Sequence, residues 1–131
     1  MKKILLADDE DILLQDRSRT IKALGFQCIT AHNGREAVDL IRTENPDLVL
    51  TDVRMPQKNG YDVLDAALHN DPDTPVILFT AFGTIELAVK ALKRGAFDYL
   101  QKPFTPERLE SAIRKALAKR KPEQKARAKN W

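Results

Sequence analysis

Five short runs of apolar residues, rich in isoleucine, valine and leucine, alternate along the chain with longer stretches in which apolar residues recur at helical spacing. Runs of the first kind predict strands, and the spacing of the second predicts amphipathic helices. Strands are predicted at Lys3–Ala7, Gln27–Thr30, Leu48–Thr51, Val76–Phe79 and Asp98–Leu100. The middle strands are almost entirely apolar, as expected when helices cover both faces of a parallel sheet. The pattern therefore predicts an α/β fold built from (βα)5 units.

The apolar residues with helical spacing form four clear groups, and a weaker helix is predicted between Tyr61 and Leu68. The groups are Ile12, Leu13, Ile21 and Leu24; Ala37, Val38, Leu40 and Ile41; Ile85, Ala88, Val89 and Leu92; and Leu109, Ile113 and Leu117. In the third group we expect Ile85, Val89 and Leu92 to pack in the core. The region around this helix and the helix from Pro106 onward are the expected output surface. The better candidates for exposed residues of that surface are Tyr99, Lys90, Lys93 and Arg94.

Residues at the predicted helix ends support these boundaries. Gly25 and Gly95 follow the first and fourth helices, where a left-handed cap residue is expected. Asn33 with Glu36 resembles a capping box, and Thr105-Pro106 places a cap residue before a proline at the first helical position.

Length and composition predict one domain. A chain of 131 residues with 43% hydrophobic residues can bury one core. Its apolar runs are far shorter than the ~20 residues that cross a bilayer, and the amino end has no cleavage-type spacing, so we expect a cytoplasmic protein without a membrane span. Cys28 is the single cysteine, which excludes an internal disulfide and a Cys/His zinc cluster.

The formal charge of +3 is unevenly distributed. Residues 119–131 carry six basic side chains against Glu123, a local charge of +5, and the remaining residues carry −2. A basic run of this kind can bind nucleic acid or anionic partners, but a solvated linker is the favoured interpretation. We therefore expect a domain over residues 1–120 and a basic tail or linker over 121–131.

Carboxylates follow two of the predicted strands. Asp8 and Asp9 come directly after the first strand, and Asp52 comes directly after the third. In the flavodoxin-like strand order 2-1-3-4-5 these positions meet at one edge of the sheet, where ligands of open α/β folds bind. Such a cluster favours a hard cation such as Mg²⁺. Acids also favour the first turn of a helix, which accounts for Glu10 and Asp11 but not for Asp52.

The fourth and fifth strands are followed by residues with complementary chemistry. Thr80 offers a hydroxyl donor, and Lys102 offers a mobile cation. Taken singly, each would be interpreted as an ordinary loop or surface residue. Together with the acids they leave four of the five strands ending in a residue that can bind a phosphoryl group and its metal, which chance explains poorly.

These residues resemble the receiver domains of two-component response regulators over about residues 2–118. The matching motifs are Asp8-Asp9, Asp52 with Met55-Pro56 and Gly60, Thr80-Ala81, and Lys102-Pro103-Phe104. The resemblance implies that Asp52 is the phosphoacceptor. It further implies that Asp9, Asp52 and the backbone carbonyl of Arg54 bind Mg²⁺ directly and that Asp8 acts mainly through water.

The resemblance also implies a switch. Thr80 and Lys102 would hold the phosphoryl oxygens, and Tyr99 occupies the family's aromatic switch position, turning inward when Thr80 moves toward the phosphate. A cis peptide bond is expected between Lys102 and Pro103.

Two segments look similar to NtrC-type transcriptional activators in particular: residues 51–56, and the run that starts with 80–84 and ends with 95–99. Those proteins continue into an ATPase and a DNA-binding domain, which cannot fit in 131 residues. The expected function is a phosphorylation-dependent switch that accepts a phosphoryl group from a sensor histidine kinase, for transcriptional control. A second copy of the chain is a candidate partner, in a homodimer formed on phosphorylation. A stand-alone receiver acting through protein–protein contacts or a phosphorelay is the alternative. We expect no direct DNA binding by this domain, no membrane association, and no catalysis beyond its own phosphoryl transfer and dephosphorylation.

Three rival functions fit the residues less well. A flavin- or nucleotide-binding protein of this architecture needs a phosphate-binding loop after the first strand, but residues 8–11 are anionic and lack glycine. Metal-dependent phosphatases with an aspartate nucleophile typically have a second acid two residues later, where this chain has Arg54. A receiver-like module that is never phosphorylated usually lacks one of the acids, and none is missing here.

Overall fold

The alternating pattern produces five strands and five helices in the part of the chain that the computed structural model describes, residues 1–81 and 84–119. The strands are β1 (Lys3–Ala7), β2 (Gln27–Ala31), β3 (Leu48–Asp52), β4 (Val76–Thr80) and β5 (Asp98–Gln101). The helices are α1 (Asp11–Ala23), α2 (Gly34–Glu44), α3 (Gly60–Asn70), α4 (Ile85–Lys93) and α5 (Pro106–Lys119). All five predicted strands are confirmed to within one residue. The region predicted as the weakest helix is a regular α3.

The strands form one parallel sheet in the order β2-β1-β3-β4-β5. This confirms the flavodoxin-like (βα)5 fold. Ala7 pairs with Thr51, so β1 and β3 end at the same level although they are not consecutive in the chain. The adjacent ends of these two strands form the switch point at which open α/β sheets bind their ligands.

Helices cover both faces of the sheet, and the alternation of side chains along each strand divides the core in two. In β1, Ile4 and Leu6 pack on the side of α1 and α5, whereas Leu5 and Ala7 pack on the side of α2, α3 and α4. Every residue of β3 and of β4 is buried. The near-continuous apolar character of these strands follows from burial on both faces.

The predicted helix ends are largely confirmed. Gly25 and Gly95 have φ values of +97° and +106°, the left-handed conformation that glycine adopts without strain. The side chain of Asn33 accepts a hydrogen bond from the Glu36 amide at 2.8 Å. The reciprocal half of that capping box is different, because the Glu36 carboxylate accepts from the backbone of His32 at 3.3 Å.

Two further caps lie beside the strand ends that carry the candidate site. The Thr105 hydroxyl accepts from the Arg108 amide at 3.0 Å at the start of α5, as predicted. A complete capping box joins Asn59 and Asp62 at the start of α3, and it was not predicted. The described helices contain no segment long and apolar enough to cross a membrane.

The expectation that Ile85, Val89 and Leu92 pack in the core is wrong. These side chains are 85%, 43% and 48% exposed, and Ala91 is the buried residue of α4. The spacing identifies an apolar stripe but does not say which stripe of the helix meets the sheet. Here the side with small Ala91 lies against the core, so the larger apolar stripe faces solvent.

A similar rotation affects α1. Ile12, which belongs to the apolar group of that helix, is 83% exposed. The stripe that packs on the sheet consists of Leu14, Ser18 and Ile21. Arg17 lies on this same side of α1, so its side chain can reach the carboxylate that follows β1.

Candidate functional site

Three carboxylates converge where β1 and β3 end. Asp8 and Asp9 follow β1 directly, and Asp52 is the last residue of β3. One carboxylate oxygen from each of the three lies within 4.8 Å of the others. The predicted convergence of Asp8, Asp9 and Asp52 is therefore observed, and it follows from the pairing of β1 with β3.

The three acids differ in exposure. Asp8 is fully buried and Asp52 is 6% exposed, whereas Asp9 is exposed. An open cavity of about 560 Å³ begins beside Asp9 and is lined also by Val53, Arg54, Met55, Asn59, Tyr61 and Lys90. A cluster of carboxylate oxygens with one side open to water has the chemistry that Mg²⁺ requires, because this ion prefers oxygen ligands and retains several waters. The donor set therefore fits Mg²⁺.

Lys102 lies among these acids. Its ammonium nitrogen is 2.7 Å from Oδ2 of Asp52 and 3.3 Å from Oδ2 of Asp8. The lysine side chain is only 11% exposed. It follows β5 at a cis peptide bond to Pro103, as predicted, and its amide donates to the Thr80 carbonyl at 2.8 Å. Lys102 is thus a buried counter-ion of the acidic cluster and not a solvated surface lysine.

A second cation in the site was not predicted. Arg17 of α1 donates from Nη1 to Oδ2 of Asp8 at 2.9 Å, and its side chain is 13% exposed. Its guanidinium carbon lies 5.3 Å from the ring centroid of Phe79 and 4.7 Å from that of Phe104. The available signal was an arginine three residues after Leu14 and four before Ile21, within the stripe that faces the sheet. A charged residue in such a stripe needs a buried partner.

The environment of Asp52 disfavours its charged form. Burial raises the pKa of the Asp52 carboxyl above its ordinary value, and the nearby Asp8 charge adds to this. The hydrogen bond and charge of Lys102 and the Arg54 amide, which donates to Oδ1 at 3.3 Å, act in the opposite direction. The net effect is a raised pKa, which additional positive charge at the site would lower.

Gly60 allows the chain to return close to Asp52. A Cβ atom at this position would lie 2.5 Å from the Asp52 carbonyl oxygen and 2.8 Å from the Val53 Cα, both backbone atoms that cannot move aside. The Gly60 amide donates to the Val53 carbonyl at 2.8 Å. The absence of a side chain here therefore shapes the loop that holds Arg54 beside Asp52.

Thr80 ends β4 next to the site, and its side chain is 3% exposed. Tyr99 lies one strand further, on β5. The prediction that Tyr99 belongs to the surface holds only in part, since its ring is half-buried and its hydroxyl oxygen is inaccessible to solvent. Burial, together with the nearby Tyr61 and Asp52, raises the pKa of the Tyr99 hydroxyl. Among the described residues, neither the Tyr99 nor the Tyr61 hydroxyl has a hydrogen-bond partner.

Some predictions fall outside the described residues. Positions 82 and 83, part of the segment resembling NtrC-type activators, are among them, as is the whole of the 121–131 tail. The division between a domain over 1–120 and a basic linker therefore stays a prediction.

Comparison with known proteins identifies the class to which this fold and site belong. A family model described as the response regulator receiver domain matches residues 4–114. The chain therefore belongs to the receiver domain family of two-component response regulators. Members of this family are signalling domains rather than classical enzymes, and they bind Mg²⁺ at an acidic cluster.

The relatives include NtrC-type activators, which confirms the more specific resemblance. The regulatory protein AtoC of Escherichia coli (strain K12) is 41% identical over 117 residues, covering 89% of this chain and 25% of AtoC. The beryllofluoride-activated NtrC4 receiver domain, solved as a dimer, is 36% identical, with a TM-score of 0.85 over 90% of this chain and 98% of the other. The receiver of a LuxO repressor from Vibrio parahaemolyticus is 32% identical, with a TM-score of 0.88 over 95% and 96% of the two chains. The chain spans only 25% to 48% of the length of the first curated relatives it matches.

Proposed function

We propose that this chain is a phosphorylation-dependent switch that accepts a phosphoryl group on Asp52 from the phosphohistidine of a sensor kinase. The observation that carries the proposal is the position of Asp52. A buried lysine lies 2.7 Å away, and two further carboxylates are close enough to bind one metal ion together with Asp52. A strand-end acid in this setting can act as a nucleophile while its neighbours bind the metal.

The reaction transfers a phosphoryl group between two acceptors. An oxygen of Asp52 attacks phosphorus in line with the scissile bond, the P–N bond to the donor histidine breaks, and the histidine nitrogen leaves with the electron pair. Mg²⁺ bound by Asp9, Asp52 and the Arg54 carbonyl, with Asp8 acting through water, would supply charge that stabilises the transferring phosphoryl oxygens. Lys102 neutralises Asp52 beforehand and stays within reach of the new phosphoryl oxygens.

The response to phosphorylation would begin at Thr80. A phosphoryl group brings extra negative charge and strong acceptor oxygens, which a hydroxyl on the next strand can satisfy by moving inward. Tyr99 belongs to β5, which pairs with β4, and its side chain packs in the half of the core that also contains α4. We propose that Thr80 and Tyr99 move together and that the surface formed by α4, β5 and α5 changes as a result.

The partners follow from the family. Receiver domains interact with histidine kinases and can dimerise, and the NtrC4 receiver is a dimer when activated by beryllofluoride. For this chain we propose a histidine kinase as donor, action in the cytoplasm, and transcriptional control as the output. The exposed apolar side chains of α4 favour a homodimer formed on phosphorylation. A receiver that acts through protein contacts or a phosphorelay is the alternative output, and it uses the same acceptor.

Intact-mass measurement tests the proposal. The protein is incubated with Mg²⁺ and a small phosphodonor such as acetyl phosphate, and we expect the mass to rise by one phosphoryl group. The variant D52N should show no gain. The variant D47N is the matched control, because Asp47 immediately precedes β3, at the end of the strand opposite to Asp52, and it should be labelled like the parent. Full labelling of D52N at the parental rate would refute the assignment.

A second measurement separates acceptance from response. T80A should still accept the phosphoryl group, since Asp52 and Lys102 are intact, but it should lose any phosphate-driven self-association detected by size-exclusion chromatography with light scattering. Deletion of residues 121–131 should preserve both properties if that segment is a linker. Loss of labelling in the truncated chain would give the tail a part in the mechanism.

A further inference from the structure

Asp8 has two cations beside it, although one of them is closer to a different acid. Lys102 lies 2.7 Å from Asp52 and 3.3 Å from Asp8, whereas Arg17 lies 2.9 Å from Asp8. Each buried acid therefore has its own nearest cation. When Asp52 carries a phosphoryl group and Lys102 follows it, Asp8 still keeps a partner.

The guanidinium of Arg17 is held in place by more than this ion pair. It lies over two aromatic rings, 4.7 Å from the Phe104 centroid and 5.3 Å from the Phe79 centroid, and the two rings meet edge to face at 5.7 Å. Cations over ring faces gain electrostatic attraction, and guanidinium groups stack well in this way. Arginine also keeps its charge at all ordinary pH values.

We propose that Arg17 is the standing counter-ion of Asp8 and a positioning residue that limits the Mg²⁺ affinity of the site. With Arg17 and Lys102 present, the three carboxylates leave a local charge of only −1 for an entering cation. Oδ2 of Asp8 is directed toward the guanidinium, and Oδ1 accepts from the Glu10 amide at 3.0 Å. Asp8 thus contributes less negative charge and less free oxygen to a metal ion than its position in the cluster suggests.

This inference rests on the proposed function only in taking the acidic cluster as the metal site. It concerns the unphosphorylated protein and is measured without any phosphoryl transfer. Isothermal titration of MgCl₂ into the metal-free full chain, at constant ionic strength, gives the dissociation constant directly. Thermal unfolding with and without Mg²⁺ gives an independent readout and shows that each variant is folded.

Four single variants separate charge from packing. R17M keeps an unbranched side chain between the two rings and removes the charge, and R17Q removes the charge while keeping a donor for Asp8. We expect both to bind Mg²⁺ at least about tenfold more tightly, because the negative charge of Asp8 is then no longer neutralised by its nearest cation and attracts the ion. R17K should stay close to the parent. R19M, which removes an exposed arginine from the same helix, is the matched control and should also stay close.

A double variant tests whether Arg17 acts through Asp8. In a D8N background, R17M should no longer tighten binding appreciably, since the carboxylate that Arg17 neutralises is gone. Equal tightening with and without Asp8 would overturn the positioning role, and so would R17M and R17Q affinities within about twofold of the parent. Failure of the parent to bind Mg²⁺ at all would overturn the metal site itself together with this inference, whereas tenfold tightening in R17M and not in R19M would establish it.

Discussion

The buried charged cluster of Asp8, Asp52, Arg17 and Lys102 and the neighbouring helix α4 lie at the same end of the sheet but are held in opposite ways. In the cluster, ion-pair distances are 2.7, 2.9 and 3.3 Å and all four side chains are at most 13% exposed. In α4, Ala91 is buried, while Ile85, Val89 and Leu92 lie in solvent. One region is tightly determined by strong interactions and the other is weakly anchored.

This difference suggests how a signal can pass between them. A structural change needs an element whose two arrangements differ little in free energy, since the ligand can shift the equilibrium only by its differential affinity. Helix α4 begins five residues after Thr80 and packs in the same part of the core as Tyr61 and Tyr99, whose buried hydroxyls have no hydrogen-bond partner within residues 1–81 and 84–119. In the proposed switch, the cluster would receive the charge of the phosphoryl group, and the weakly anchored helix α4 is the element that would respond.

The largest expected effect is the loss of Lys102. K102M leaves Asp52 buried beside Asp8 without its nearest cation, and breaking a buried pair in this way costs about 3 kcal/mol. L92A on α4 should cost less than about 1 kcal/mol, because that side chain is already half exposed. Urea unfolding at pH 8 without Mg²⁺ measures both free energies. Similar losses in the two variants would contradict the contrast between the cluster and α4.

A smaller effect of opposite sign is expected for D52N in metal-free buffer. Because the folded-state pKa of Asp52 is raised, the native state binds more protons than the unfolded chain between the two pKa values, so this group's contribution to stability is lost as pH rises through the folded pKa. D52N removes that loss. Its free energy of unfolding relative to the parent should therefore increase between pH 4 and pH 8, and a difference independent of pH would show that Asp52 titrates normally.

The sequence was sufficient for the fold and for the position of the site because both depend on local patterns. Strand ends follow directly from the apolar runs, and parallel pairing then brings Asp8, Asp9 and Asp52 together. The orientation of α4 could not be predicted in this way, since two stripes of the helix are apolar and only tertiary packing selects between Ala91 and the Ile85, Val89 and Leu92 stripe.

Arg17 was missed for a related reason. Its partner Asp8 lies nine residues earlier, and the aromatic rings that flank it come from β4 and from the segment after β5. Helical spacing could have shown that an arginine lies on the buried side of α1. It could not have shown which acid receives it, because that depends on how α1 packs against strands distant in sequence.

The buried hydroxyls beneath α4 should contribute little to stability. Y99F removes a hydroxyl that has no hydrogen-bond partner in the part of the chain that the structure describes, so the free energy of unfolding should stay the same or rise by about 1 kcal/mol. Y61F should behave likewise. Urea unfolding of the unphosphorylated proteins checks both, and a loss above about 1 kcal/mol in either variant would mean that its hydroxyl is hydrogen-bonded in solution.

The smallest effect concerns the ion pair that joins α3 to the end of α4. Arg94 donates from Nη2 to Oδ2 of Asp65 at 2.6 Å, but the two side chains are 37% and 56% exposed. Water screens such a pair, so the coupling free energy from a double-mutant cycle of R94A and D65A should be no more than about 0.5 kcal/mol and should shrink in high salt. The cycle is needed because the Arg94 guanidinium also lies 5.0 Å from the Tyr61 ring centroid, and R94A alone would report both contacts. A coupling energy of several kcal/mol would mean that α4 is anchored as firmly as the charged cluster, and the proposed route from Thr80 to α4 would then require the breaking of a strong contact.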